Sequence, residues 1–441
     1  MTAAKSAAKQ MTVDVISLGC SKNLVDSERL LAQLDSMGIK ATHDAPNPHG
    51  DVAVINTCAF IGDAKEESID MILGMAERKK ARKLKRLYVM GCLPERYKDE
   101  LAEAIPEVDG FYGKFDWPKL FEELGKEYRA DLRNDRIITT PSHYAYLKIS
   151  EGCNRFCTYC AIPIITGRHT SRPMEEILDE AKRLADGGVK ELQVIAQDLS
   201  SYGTDLYKTS KLAELTHRLT EINGIEWVRL HYAYPADFPF DILPEMASNP
   251  KVCNYLDLAL QHISDNMLKT MHRHITKQQT LDLLSRIRSE VPGIHIRTTF
   301  ICGHPGETDK DHEELMQFVE SQRFERMGAF TYSHEEDTYA WKNYKDDIPE
   351  ETKERYKADI MELQETISTE INEQKVGSVM RVIIDRYNKE ENIYYGRTEF
   401  DSPEVDGEVL IKGDKKLKVG NFYDVRITSA DQYDLFGELN N

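Results

Sequence analysis

No apolar run in this 441-residue sequence approaches the roughly 18–20 residues that a helix needs to cross a bilayer. The opening MTAAKSAAKQ also lacks the apolar stretch and cleavage pattern of a secretory signal. Together these absences make the cytoplasm the expected compartment and leave no membrane among the expected partners. Cysteine is sparse: eight residues (20, 58, 92, 153, 157, 160, 253 and 302) are too few for a disulfide scaffold in so long a chain. In a reducing compartment clustered thiols bind metal or do redox work, so their spacing has to decide. Positive charge is short as well, with 57 Lys and Arg against 75 Asp and Glu and a net charge of −18. That balance speaks against a broad electrostatic grip on nucleic acid, leaves room for a local basic patch, and suits a basic protein partner. No low-complexity segment and no tandem repeat interrupts the chain, whose length predicts two to four domains.

The expected organisation is α/β. Residues 1–10 read as a polar tail. Within 11–138, three β-rich runs, TVDVISLGC, DVAVINTC and RLYVMGC, alternate with helical patterns and predict a small parallel α/β sheet. Within 139–374 the alternation has a longer period: AYLKIS, ELQVIAQD, WVRLHYAY, YLDLALQ, IHIRTTFIC and MGAFTYS are six strands separated by helical segments, the pattern of a partial (β/α)6 barrel. A charged helix over 349–375 leads out of it. Within 375–441, five short β runs with turns at Gly and Asp predict a small antiparallel OB-like β-barrel.

EGCNRFCTYCAIP, just after the first barrel strand, carries Cys153, Cys157 and Cys160. Three thiolates this close on one loop converge on one metal centre, and soft sulfur suits zinc or an iron-sulfur cluster. Zinc would want a fourth ligand, for which His169 is the nearest histidine downstream. The C-x3-C-x-aromatic-C spacing, with Tyr159 in the aromatic slot, resembles that of the radical S-adenosylmethionine (SAM) enzymes. The resemblance implies a four-iron, four-sulfur cluster whose open iron chelates SAM, and one-electron cleavage of SAM to a 5′-deoxyadenosyl radical. Parallel α/β barrels build their sites at the carboxyl ends of the strands, where this loop is expected to lie.

Cys20, Cys58 and Cys92 form no local motif, yet each ends a predicted strand, in SLGCSKN, NTCAF and MGCLPER. The carboxyl ends of parallel strands share one edge, where ligands bind. A single thiol there is an ordinary small core residue; the same address three times makes a second three-thiolate centre.

A three-cysteine N-terminal domain, a radical SAM barrel and a terminal small barrel together closely resemble the methylthiotransferases, from about residue 11 onward. That resemblance implies an auxiliary four-iron, four-sulfur cluster on the N-terminal trio and a C-terminal TRAM domain that contacts substrate. It also implies two uses of SAM: one molecule methylates sulfur at the auxiliary cluster and another activates a substrate carbon. A reduced electron donor and a sulfur donor are implied partners. The family divides between tRNA adenosine and an aspartate β-carbon of a small-subunit ribosomal protein. SLGCSKNLVDSE, CTYCAIPIITGRHTSRP, LHYAYP and LALQHISDNMLKTMHR look like the ribosomal-protein branch. Residues 375–441 hold ten Lys and Arg against thirteen Asp and Glu, which suits a basic ribosomal protein better than a phosphate backbone. The alternatives are tRNA adenosine as substrate and a non-enzymatic iron-sulfur electron-transfer module.

Around the barrel edge, the resemblance brings Gln197 and Asp198 near SAM, with capping or loop hydrogen bonds as the alternative. Gln261 and Arg297 are polar residues on buried strands, each expected to meet SAM or another side chain. The CGHPGET loop (302–308) borders the SAM pocket by resemblance. Cys253 and Cys302 are assigned to packing, and His231, His262, His272 and His274 to ordinary polar contacts.

Overall fold

The computed structural model describes residues 11–440, so the expected tail at 1–10 lies outside the described residues. The chain divides into two compact units, the first running up to Thr139 together with Ala161–Gly167 and the second comprising Thr140–Cys160 and Arg168 onward. Among the described residues no helix is long and apolar enough to cross a membrane.

The first unit is a five-stranded parallel sheet made of β1 (Thr12–Ser17), β2 (Lys40–His43), β3 (Val52–Thr57), β4 (Arg86–Gly91) and β5 (Gly110–Gly113), in the order β2-β1-β3-β4-β5. Its three central strands are the apolar runs read from the sequence, and they are apolar at successive positions because helices cover both faces. Leu30, Leu31 and Leu34 of helix α1 (Ser21–Ser36) pack with Val13 and Val15 on one face. Ile72 and Met75 of α2 (Gly62–Lys80) pack with Ala53 and Ile55 on the other. The edge strands β2 and β5 are additions: four residues each, KATH and GFYG, are too short and too mixed to declare a period.

In the second unit all six expected strands form one parallel sheet: β6 (Tyr144–Lys148), then, beyond a short antiparallel pair β7 (Ser150–Glu151) and β8 (Thr170–Ser171), β9 (Glu191–Ile195), β10 (Trp227–Ala233), β11 (Val252–Leu258), β12 (His295–Cys302) and β13 (Arg326–Thr331). The order β13-β12-β11-β10-β9-β6 keeps successive strands adjacent, with β6 and β13 as edges.

The last five strands, β14 (Val379–Asn388), β15 (Ile393–Arg397), β16 (Val409–Lys412), β17 (Phe422–Ala430) and β18 (Leu435–Leu439), close into a barrel. The barrel is antiparallel, as expected, at every pairing but one: β16 and β18 pair in parallel. Strand β18 folds back on β17 as an antiparallel partner, and that return leaves it running alongside β16 at the closure.

The small barrel is held against the amino-terminal ends of the six strands. Glu191, the first residue of β9, is fully buried between Arg229 of β10, whose Nε donates to Oε1 at 3.0 Å, and Arg397 of β15, whose Nη2 donates to Oε2 at 2.7 Å. Arg397 also donates to Asp385, which accepts from His143 at 2.7 Å. Arg326, the first residue of β13, pairs with Asp401. Trp227, Cys253, Tyr255 and Ile383 form an apolar cluster beside this network.

Candidate functional site

Cys20, Cys58 and Cys92 lie just beyond the carboxyl ends of β1, β3 and β4. Thr57 of β3 and Gly91 of β4 are register partners, so Cys58 and Cys92 leave the sheet side by side. Cys20 precedes the first turn of α1, and Cys92 opens α3 (Cys92–Ala104). Gly19 has φ of +86°, and a Cβ there would come within 2.5 Å of Cys58 Cβ, so only glycine lets this loop lie on the cysteine. Cys20 is exposed, whereas Cys58 and Cys92 are buried.

One side chain ties the three loops together. Asn23 Nδ2 donates to the carbonyl of Leu18 at 3.1 Å and to that of Thr57 at 2.9 Å, and its Oδ1 accepts from the Cys92 thiol at 3.6 Å. Asn56 in turn donates to the Asn23 carbonyl and to Ser27. Burial pushes the Cys58 thiol up, and negative charge on Cys20 pushes it further. Burial takes Cys92 to about 12; Lys114 opposes the rise while Cys20 and Cys58 add to it. Burial opposes ionisation of Cys58 and Cys92, and bound cations such as iron would offset that cost for ligating thiolates.

In the second unit, Cys153, Cys157 and Cys160 occupy the loop between β7 and β8, whose pairing closes its base through Ser150 with Ser171 and Glu151 with Thr170. Gly152 (φ +79°) and Phe156 (φ +50°) adopt the left-handed conformation that curls the loop around its thiols. The Arg155 N–H donates to Cys153 Sγ at 3.5 Å. Burial drives the Cys153 thiol to about 11, against the pull of that N–H. Cys157 is buried, and its Sγ accepts from Arg273 Nη1 at 3.1 Å and lies 3.7 Å from the Tyr234 hydroxyl. Two guanidiniums lie over the Tyr234 ring, Arg155 at 4.3 Å and Arg273 at 4.2 Å from its centroid. Tyr159 accepts from Arg273 at 3.1 Å, and burial holds its phenol well above the usual range.

The surrounding candidates fall into two groups. Asp198 is buried and fully engaged, accepting from Arg155 Nε at 2.7 Å, Ser200 N at 2.9 Å and Ser201 Oγ at 2.6 Å. Gln197 donates to Glu151, and its Oε1 is buried without a hydrogen-bond partner. Gln261 follows β11 with φ of +71° and is bridged to Phe300 through its backbone, leaving its amide half-buried at the same sheet end. Arg297 instead sits near the start of β12, 3.5 Å from both Asp257 and Asp406. In the CGHPGET loop, Glu307 accepts from Gly303 N and pairs with His262, while the His304 ring meets Tyr159 edge-on at 6.2 Å. His231 bonds Gln193, and Cys253 and Cys302 are buried in the core.

Among the described residues no three His, Cys, Asp or Glu side chains converge at the spacing of a single metal ion. His169, the candidate fourth zinc ligand, is committed to Ser171 at 3.0 Å and Asp205 at 3.6 Å. A cluster distributes its thiolates over separate irons and asks for a wider trio. The buried cation beside Cys157 also fits an anionic cluster: among the described residues no carboxylate pairs with Arg273, which donates instead to the Cys157 sulfur, the Tyr159 hydroxyl and the Ala259 carbonyl. Asn23, Arg155, Tyr234 and Arg273 were not singled out by the sequence. All four fall inside quoted stretches, and the signal available there was a charged or polar residue beside the cysteines or within a branch-specific run.

Residues 12–113 match the family described as "Uncharacterized protein family UPF0004", residues 147–319 the radical SAM superfamily and residues 376–439 the TRAM domain. A protein of Bacteroides fragilis named ribosomal protein uS12 methylthiotransferase RimO is 60% identical over 433 residues, 98% of this chain and 100% of the relative. One of the same name from Cytophaga hutchinsonii is 50% identical over 428 residues, 97% of each chain. Among solved structures, the radical SAM methyltransferase TsrM of Kitasatospora setae, with cobalamin and a [4Fe-4S] cluster bound, aligns over 84% of this chain and 80% of its own with a TM-score of 0.52 at 13% identity. The cobalamin-dependent radical enzyme OxsB aligns over 81% of this chain and 58% of its own, with a TM-score of 0.52 at 14% identity. At those identities the likeness is one of fold.

Proposed function

The chain belongs to the ribosomal protein uS12 methylthiotransferase family, and from that premise we propose that it replaces a hydrogen on the β-carbon of an aspartate of ribosomal protein uS12 with a methylthio group. The observation that carries this reading is the pair of thiol trios, each at the carboxyl edge of its own parallel sheet. Cys153, Cys157 and Cys160 would hold the cluster that binds SAM, and Cys20, Cys58 and Cys92 an auxiliary cluster. Bound there, these groups supply hydrogen abstraction, sulfur insertion and methyl transfer. The protein binds, orients and shields them.

Arg155, clamped by Asp198, fixes the first cluster loop. Gln197 and Gln261, whose amides stand at the same strand ends, are assigned to SAM, with Tyr159 closing the loop beside them. Asp198 and Arg297 act by holding other residues. The division at 11–138, 139–374 and 375–441 into auxiliary-cluster, radical SAM and TRAM domains is part of the same proposal. The acidic TRAM segment favours a basic protein over tRNA. The reading requires a reduced electron donor and a sulfur donor as partners.

The test is anaerobic reconstitution with iron, sulfide, SAM and a reductant, followed by mass spectrometry of uS12 and of digested tRNA. A gain of CH2S on one aspartate of uS12 is expected. Methylthioadenosine in tRNA with uS12 unchanged would sink the assignment. Asn23→Ala removes the side chain that joins the three auxiliary loops, so metal loading of that trio should fall about 10–100-fold. SAM cleavage by the same preparation should persist; an unchanged iron content would refute the role given to Asn23.

A further inference from the structure

Arg273 is a charged group that the chemistry above leaves without a task. It follows the helix Asp265–Thr270 and is 2% exposed. Its Nη1 donates to Cys157 Sγ and to the Tyr159 hydroxyl, both at 3.1 Å, its Nη2 donates to the carbonyl of Ala259, and its Nε has no partner. Arg155, whose guanidinium also lies over the Tyr234 ring, is neutralised by Asp198 at 2.7 Å and Asp237 at 2.9 Å. Arg273 has no such carboxylate among the described residues. Of the two cations on this ring one is therefore compensated and the other is not, and the uncompensated one rests on sulfur.

A fixed positive charge and an N–H···S hydrogen bond act in the same direction on an iron-sulfur cluster. Reduction adds an electron to an already anionic group, and both the charge and the donor stabilise the more negative state. Low exposure keeps water from screening the effect. Tyr234 contributes by fixing the guanidinium plane, since its hydroxyl donates to the Arg273 carbonyl at 2.8 Å while its ring lies against the side chain.

We propose that Arg273 is a positioning residue that holds uncompensated positive charge on Cys157 and thereby raises the reduction potential of the cluster bound by Cys153, Cys157 and Cys160. The inference rests on the assignment of that trio to the radical-generating cluster. The test uses the full chain carrying Cys20→Ala, Cys58→Ala and Cys92→Ala, so that one cluster remains, and reads its one-electron midpoint by EPR-monitored redox titration.

With Arg273→Gln the reduction equilibrium should move at least tenfold toward the oxidised form, which is 59 mV for one electron. Arg273→Lys, which keeps the charge, should stay within about threefold of the parent by the same relation. An unchanged midpoint in the Gln variant, or a Lys variant shifted as far as the Gln one, overturns the proposal. Cluster loss from the Gln and Arg273→Met variants with retention in the Lys variant supports it, because charge is then what the site requires. Loss from all three overturns it. A parent that binds no iron refutes the assignment of the trio, a result distinct from a cluster whose midpoint ignores Arg273.

Discussion

Replacing Cys157 with alanine is expected to lower reductive SAM cleavage by more than about a hundredfold, since loss of an outer-shell partner alone costs 10–100-fold and this residue is a ligand. Cys157 is the trio's most enclosed member, 8% exposed, with Arg273 and Tyr234 both directed at its sulfur. Its removal leaves two thiolates for three irons and strands a buried guanidinium. Iron should fall to about half if the two clusters are of one type, because Cys20, Cys58 and Cys92 belong to a separately packed unit. Iron and sulfide analysis with chromatography of 5′-deoxyadenosine checks both statements. Cys20→Ala should show the reverse pattern, with SAM cleavage retained and methylthiolated product lost. Wild-type cleavage by the Cys157 variant would refute the assignment of the trio.

The second large effect is on stability. Glu191→Ala should lower unfolding free energy of the second unit by about 3–5 kcal/mol, the cost of removing one partner from a buried ion network. Glu191, Arg229 and Arg397 are all at most 1% exposed, so water cannot take the place of the missing carboxylate. Arg397 keeps Asp385, but Arg229 loses its only carboxylate partner among the described residues and retains the carbonyls of Thr398 and Glu399. Burial alone would raise the Glu191 carboxyl, yet Arg397 and Arg229 overcome it and hold the group at about 2, against an ordinary 4.5. A depressed carboxyl stabilises the fold fully above its unfolded value and loses that contribution as pH falls toward the folded one. Wild-type stability should therefore decline between about pH 4.5 and 2, whereas Glu191→Gln lacks this share of the decline. Urea titrations at pH 7 and pH 3 compare them; a gap between the two proteins that stays constant would show that Glu191 is not ionised in the fold.

The two cysteine trios could be proposed as metal sites from the sequence because cysteines mark themselves. Three within eight residues declare a site locally, and three at strand ends declare one through the topology of a parallel sheet. The six strands of the second unit were legible because β-branched and aromatic runs separate cleanly from helical segments. What surrounds the thiols was not. Arg273 meets Cys157 across 116 residues of chain, and Asn23 meets Cys92 across 69. No periodicity encodes such meetings; they follow from how loops at one edge are brought together. Asp198 and Arg297 show the converse. Both carry the polarity of ligand contacts, but each is occupied by neighbouring side chains, and only tertiary packing says which use a buried charge is put to.

Strand direction has one more consequence. The small terminal barrel is fastened where the six strands begin, through Glu191, Arg229 and Arg326, while the cysteine loop and Gln197, Tyr234 and Gln261 lie where they finish. Among the described residues, changes at one end share no hydrogen-bond or ion-pair partners with changes at the other, so their effects on the molecule should combine almost independently. Substitutions that alter how the terminal barrel is fastened should therefore leave the cysteine loop undisturbed. A parallel sheet gives that modularity at no extra length, since its polarity already keeps the anchorage of the barrel and the cysteine loop apart.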